Sequence, residues 1–370
     1  MDWARVGGSW CGGDGRAVCT CGGRDGAAGP RVRLAVVGSS VVDVLVICPG
    51  LGETGFVGGR AGARGQSGGL RPAAEERQLE TAQEEETMSA AEIGINEEAR
   101  CRFEEDGYWL GPQLFDAGQQ EALAYAVDEV NAGRYETGRE PMARFWSPGD
   151  DPYGLHKVDN SHWCNPVLAE AVRNRQIGRL AAQLLETAAV RLWHEQILMK
   201  PAGGRVSANV AWHQDYNYWR SSDRPRMLTA WIPLQEVNPE LGTMHFVKGS
   251  HRWGWQAAYS HFGRYDMEEQ ERVIRQYMPE GETYETAPVY LEAGRVSFHH
   301  CLTLHGSGPN QARRQHRRAI AIHIQADECR WCRTGDKADD HKCSQEMERL
   351  GKRYGDKFEG EYWPVLWSGA

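Results

Sequence analysis

From about residue 90 the chain carries two periods of apolar placement, and they change over near Trp193. Ahead of that point apolar side chains recur every three or four residues, the spacing that lines one face of a helix. Residues 97–105 and 116–131 read as helices on this basis, with Leu123, Val127 and Val130 on one side of the second. A longer helix is predicted over 166–192, its stripe formed by Val167, Leu168, Val172, Ile177, Leu180, Leu184 and Leu185. Residues 107–110 read as a short strand between the first two helices.

Beyond Trp193 the period drops to two, in short runs separated by Gly and Pro. Strands are predicted over 194–199, 206–211, 228–233, 243–247, 295–299 and 317–325. Many short strands with frequent turns suit an antiparallel barrel or sandwich, here buttressed by the preceding helices. The polar stretch 255–290 reads as an insertion or lid joining the two halves of that sheet.

Composition changes the picture mainly at the N-terminus. Of the 43 Gly among 370 residues, 19 fall in the first 70 positions. Residues 1–87 therefore read as a disordered extension in which few side chains repay the entropy of ordering, with a short solvated helix near 75–87. Residues 88–370 read as one domain, ending in a tail at 329–370. The formal net charge of -9 gives no broad electrostatic reason to bind nucleic acid, and no basic–aromatic track is present. The longest apolar run, 34–48, is broken by Gly38, Ser39, Ser40 and Asp43, so no transmembrane segment is expected. Ten Cys without a regular framework suit a reducing compartment, and a cytoplasmic location is expected, with organellar targeting by the Arg-bearing head left open.

The sharpest chemical signal is AWHQDYNYW, residues 211–219. Side chains at i and i+2 of an extended strand share a face, so His213 and Asp215 converge while Gln214 points away. An imidazole and a carboxylate suit a divalent iron that keeps positions open for substrate and oxygen. His305 in LTLHGSGPN supplies a third ligand, with His299 and His300 as competitors just upstream. A carboxylate-bearing co-substrate is best held by the planar fork of an arginine. In RRAIAIHIQ, Arg317 shares a face with Ala319, Ala321 and His323, whereas Arg318 falls with Ile320, Ile322 and Ile324. Arg317 is the better inward candidate, with Arg318 the alternative. Tyr216, Tyr218, Trp219, Trp253 and Trp255 are candidates for an apolar cavity mouth or for plain packing. Cys329, Cys332, His341 and Cys343 carry the right atoms for a structural zinc.

The stretches WHEQILMKPAG, AWHQDYNYW, MLTAWIPLQEVNPELGTMHFVKGSHRWG and LHGSGPNQARRQHRRAIAIHIQ resemble the phytanoyl-CoA dioxygenase family, from about residue 90 to the C-terminus. The resemblance implies a mainly β fold with flanking helices, a double-stranded β-helix (jelly roll, cupin-like). It implies Fe(II) held by His213, Asp215 and His305, and 2-oxoglutarate as co-substrate with its distal carboxylate on Arg317. Lys157, Gln196 and Trp231 match positions that contact the same co-substrate. One extra residue around 313–316 departs from the usual spacing between the last histidine and the arginine. The implied reaction consumes molecular oxygen and 2-oxoglutarate, releases succinate and carbon dioxide, and hydroxylates an unactivated C–H bond of a small apolar or lipid-derived substrate. Ascorbate enters as a reductant. Retention of Asp215 disfavours halogenation. A tailoring oxidase that desaturates or rearranges a metabolite is the alternative within enzymes, and a catalytically silent β-helix binding protein the alternative outside them.

Overall fold

The structure, a computed structural model, describes residues 94–259 and 266–369 together with the backbone of two short strands near the N-terminus. The chain divides into two units, Met1–Glu75 and Glu76–Ala370. In the first, β1 (Arg16–Cys19) and β2 (Val32–Ala35) form an antiparallel pair. The boundary expected at residue 87 and the helix expected near 75–87 lie outside the described residues.

The second unit holds twelve strands among its described residues, in chain order β3 (Tyr108–Gln113), β4 (Ala143–Arg144), β5 (His156–Asp159), β6 (Ala189–Lys200), β7 (Val210–His213) and β8 (Met227–Pro233), then β9 (His245–Val247), β10 (Thr286–Pro288), β11 (Arg295–His300), β12 (His305–Ser307), β13 (Arg317–Ala326) and β14 (Val365–Ser368). They form two antiparallel sheets. The larger runs β3-β11-β8-β13-β6-β5-β4, with β14 also paired to β6; the smaller runs β10-β9-β12-β7. This is the double-stranded β-helix with flanking helices that the resemblance implies.

Alternation along the strands sorts side chains between two faces. Ile320, Ile322 and Ile324 of β13 join Val127, Val130, Ile177 and Leu180 from the helices Ala117–Asn131 and Arg175–Leu184, forming the main core outside the large sheet. Ala319 and Ala321 face the other way, toward Trp231, Met244 and Phe246 between the sheets.

Two sequence expectations need correction. The helix predicted over 166–192 is two helices, Pro166–Val172 and Arg175–Leu184, followed by β6. Asn165 and Asn174 each cap the helix that follows by accepting from its first backbone N–H groups, which starts a new helix at Arg175. The strand predicted over 206–211 begins with a 3-10 turn, Val206–Ala208, and the strand proper starts at Val210. The stretch 255–290, expected as an insertion or lid, is described at 255–259 and 266–290. Its helix Met267–Tyr277 buries Ile274 against Trp212, Val247, Trp253, Tyr259 and Leu304, and Gln270 Oε1 accepts from Trp212 N at 2.9 Å.

The tail from 329 onward is integral to the fold: Cys343, Met347, Phe358, Trp363 and Leu366 are buried in the main core. No helix among the described residues is long and apolar enough to cross a membrane.

Gly242 (φ 62) closes the turn between β8 and β9, where an added Cβ would meet the carbonyls of Gly308 and Pro309. We expect Gly242→Ala to cost at least about 1–2 kcal/mol from backbone strain alone, read as a lowered midpoint in urea unfolding. An unchanged midpoint would show that the turn has room.

Candidate active site

Strand register assembles the site from residues far apart in sequence. On the inner face of the large sheet, His299 of β11 pairs with Thr229 of β8, Thr229 with His323 of β13, and His323 with His194 of β6. The neighbouring row holds Trp231, Ala321, Gln196 and Asp159, and the next Ala319, Leu198 and Lys157. At the end of β13, Arg317 pairs with Lys200. Facing these rows from the small sheet, His213 of β7 lies directly opposite His305 of β12.

Asp215 arrives differently from the expected extended strand. β7 ends at His213, and Asp215 already has helical backbone angles (φ -55, ψ -41) ahead of a single turn, Tyr216–Trp219. Gln214 pins the bend: its Nε2 donates to Gly254 O (2.9 Å) and Leu302 O (2.8 Å). Gln214 thus points away, as alternation predicts, and Asp215 turns inward.

The three groups converge. Asp215 Oδ1 lies 3.5 Å from His213 Nε2 and 3.7 Å from His305 Nε2, and the two imidazole centroids are 4.1 Å apart. Their ligand atoms all fall within 4.8 Å of one another, the single grouping of this kind among the described residues. Each imidazole Nδ1 sits against a backbone carbonyl, His213 on Ala211 O (2.7 Å) and His305 on Thr303 O (2.9 Å). That contact places the proton on Nδ1 and leaves the Nε2 lone pair facing Asp215. Burial pushes His305 well below the ordinary imidazole range. Burial alone would raise Asp215, but His305, His213 and His299 pull it well below the usual carboxylate range. Two lone pairs and a carboxylate aimed at one point repel unless a cation lies between them, and this donor set fits a divalent iron.

The second carboxylate oxygen is occupied by protein. Thr229 Oγ1 donates to Asp215 Oδ2 at 2.7 Å and lies 2.8 Å from His323 Nδ1, while His299 Nε2 is 3.4 Å from the same oxygen. His299 therefore braces the carboxylate outside the three-residue group, and His300 lies on the opposite face near His251 and Phe103. The sequence offered no signal for Thr229 beyond its place two residues before Trp231. We expect Thr229→Val, which keeps the shape, to weaken Fe(II) affinity about 10–100-fold, with Thr229→Ser restoring most of it. Chelator competition under anaerobic conditions measures this, and equal affinities in all three proteins would refute it.

Lys157, Gln196, Trp231 and Arg317 line the same cavity as the triad, a cleft with about 540 Å³ of empty space. Arg317 is buried; its Nε has no hydrogen-bond partner, and its Nη2 reaches only Gly242 O at 3.5 Å. Its guanidinium carbon lies 5.6 Å from the Trp231 ring centre. Arg318 turns outward and binds Asp128 through Nε (2.7 Å) and Nη2 (2.8 Å). That settles Arg317 as the inward arginine. Lys157 lies 3.7 Å from Asp159 Oδ1 and over the Phe145 ring.

The remaining sequence candidates separate. Tyr218 lies near His213, at 6.2 Å between ring centres. Trp219 and Trp253 are buried, and Trp219 packs on His323 behind the cavity. Tyr216 donates to Ser222 O and packs with Trp255 against the main core. The four zinc candidates do not converge: Cys329, Cys332 and Cys343 lie against the carbonyls of Arg226, Arg220 and Trp193, and His341 Nδ1 accepts from Cys343 N.

A double-stranded β-helix carrying a buried His–Asp–His facial triad defines a non-haem iron(II) oxygenase. The model of the phytanoyl-CoA dioxygenase family matches residues 103–319. Among relatives, a probable alpha-ketoglutarate-dependent hypophosphite dioxygenase of Stutzerimonas stutzeri is 31% identical over 62% of this chain and 79% of its own. An ectoine dioxygenase of Bordetella parapertussis is 27% identical over 56% of this chain and 68% of its own. Among solved structures, the non-heme alpha ketoglutarate dependent carbocyclase SnoK from nogalamycin biosynthesis has the same fold, with TM-score 0.55 and 24% identity over 73% of this chain and 96% of that one. The chain belongs to the phytanoyl-CoA dioxygenase family, and it is an enzyme, an iron(II)- and 2-oxoglutarate-dependent dioxygenase.

Proposed function

We propose that this dioxygenase hydroxylates an unactivated C–H bond of a small apolar or lipid-derived substrate, with 2-oxoglutarate anchored on Arg317. The observation that carries the anchor is a buried guanidinium, without an acidic partner among the described residues, in the same cavity as the triad. His213, Asp215 and His305 would hold the iron, which when bound activates oxygen and drives decarboxylation of the co-substrate to succinate and carbon dioxide.

The protein's part is positional. Arg317 offers a planar fork to the distal carboxylate, with Trp231 beside it. Gln196 and Lys157 lie on the adjoining strands, placed to contact the rest of the same acid. Leu198, Val210, Met244 and Ala321 give the cavity an apolar wall suited to a C–H group. Exposed Phe145 and half-buried Trp146 line a neighbouring cleft that shares Lys157, an apolar approach for the substrate. Ascorbate is proposed as the reductant that keeps the metal ferrous.

We expect treatment with a strong chelator to abolish 2-oxoglutarate-dependent succinate release, and Fe(II) to restore it where Zn(II) does not, since zinc has no redox chemistry. A screen of small apolar molecules and acids for substrate-dependent succinate, followed by oxygen-isotope analysis of the product, tests the substrate. Succinate release that persists in the metal-free protein would defeat the reading.

A further inference from the structure

Arg317 is not the only buried cation at its end of the cavity. Lys200 closes β6, sits opposite Arg317 across the β6–β13 pair, and is 0% exposed. Cross-strand partners of this kind carry their side chains on the same face. Lys200 does not line the cavity, whereas Arg317 does. Its Nζ donates to Ser307 O at 2.9 Å and to Gly308 O. Among the described residues neither cation has a carboxylate partner.

That arrangement is costly as it stands. Taking one ammonium out of water costs several kcal/mol, and a second like charge in the same low-dielectric region adds to it. Two carbonyl oxygens offset only part. Burial, with Arg317 beside it, pushes Lys200 well below the ordinary lysine range, and burial pushes Arg317 down to about 10. A bare structural strut could be supplied by a neutral donor such as glutamine. A lysine placed next to the anchoring arginine, its charge disfavoured until a negative group arrives, makes sense if the site is completed by an anion.

We propose that Lys200 is a specificity-determining residue for the co-substrate, placing a second positive charge behind Arg317 so that the pair selects a 2-oxo acid with an anionic tail. This rests on the assignment of Arg317 to the distal carboxylate. Lys200 acts through its field and does not touch the ligand, so it is a positioning residue in that sense. Its contacts with Ser307 O and Gly308 O also hold the turn that follows His305, and the test must separate the two roles.

The probes are 2-oxoglutarate and 2-oxopentanoate, which has a methyl group where the distal carboxylate would be. Binding to Fe(II)-loaded protein is measured by anaerobic calorimetry, using competition for the weaker acid. Lys200→Gln keeps an N–H donor for the two carbonyls and removes the charge. We expect it to weaken 2-oxoglutarate roughly tenfold while leaving 2-oxopentanoate and Fe(II) affinity unchanged. Lys200→Arg should retain the discrimination. If both acids and Fe(II) weaken together, Lys200 only props the turn and the proposal fails; it fails equally if neither acid changes.

A second variant keeps the test decisive should Lys200→Gln not fold. Arg317→Gln should retain a reduced preference for 2-oxoglutarate over 2-oxopentanoate, because Lys200 remains. Loss of all preference in that variant overturns the proposal. Wild-type protein that binds 2-oxoglutarate no better than 2-oxopentanoate overturns the Arg317 assignment itself, and the role of Lys200 with it.

Discussion

Asp215→Ala is expected to lose succinate production altogether and to lower Fe(II) affinity by more than about a hundredfold, beyond the effect of removing a residue that only supports a ligand. The reason lies in how the charges are distributed. His213 and His305 present neutral Nε2 lone pairs, so Asp215 is the only anionic member of the group. Without it, a divalent cation would enter a buried pocket bounded by His299 and His323 and by the guanidinium of Arg317. Asp215→Asn is the sharper variant, since it keeps the hydrogen-bonding shape beside Thr229 Oγ1 and removes only the charge. Both variants should leave the fold intact, because Thr229 and His323 still bond to each other. Anaerobic titration with Fe(II) and 2-oxoglutarate, followed by a succinate assay, provides the check. An Asp215→Ala protein that binds Fe(II) like wild type would remove the triad from the reaction.

Much of the metal site could be read in the sequence because its signals are local. His213 and Asp215 lie two residues apart at the end of one strand, and His305 sits on a short strand closed by glycines. The same parity rule separated Arg317 from Arg318 along β13, and the outward salt bridge of Arg318 to Asp128 agrees with it. What could not be read was pairing between distant strands. The row His299–Thr229–His323–His194 draws on four strands and on residues up to 129 positions apart (323 minus 194), and nothing local marks Thr229 as a partner of Asp215.

The same limit explains the errors. Residues 184–192 carry apolar groups that satisfy both periods, and β6 takes its form from pairing with β13, β5 and β14, which overrides helical spacing. The zinc reading failed because closeness in sequence is not convergence in space: helix Lys342–Arg349 carries Cys343 into the main core, away from Cys332. Lys200 was invisible for a related reason. A lysine ending an apolar strand ordinarily reaches water, and this one stays inside through contacts that sequence does not show, its bonds to Ser307 O and Gly308 O.

Arg317→Met should separate binding from stability, moving them in opposite directions. In wild type the guanidinium is buried with its Nε unsatisfied and no acid to neutralise it among the described residues. A co-substrate carboxylate would supply both the missing acceptor and the missing charge. Losing such a buried charge pair costs at least about 2 kcal/mol, so 2-oxoglutarate affinity should fall roughly thirtyfold or more. In the absence of co-substrate the balance reverses. Methionine fills similar space without a charge to desolvate, so the thermal midpoint of the ligand-free protein should hold or rise. Adding 2-oxoglutarate should then stabilise wild type and leave the variant where it was, since a ligand raises stability only as far as it binds the folded state. Thermal unfolding with and without 2-oxoglutarate, on both proteins, reads the whole pattern in one experiment. If Arg317→Met lost stability by itself yet kept its response to 2-oxoglutarate, the arginine would be part of the scaffold and the anchor would lie elsewhere in the cavity.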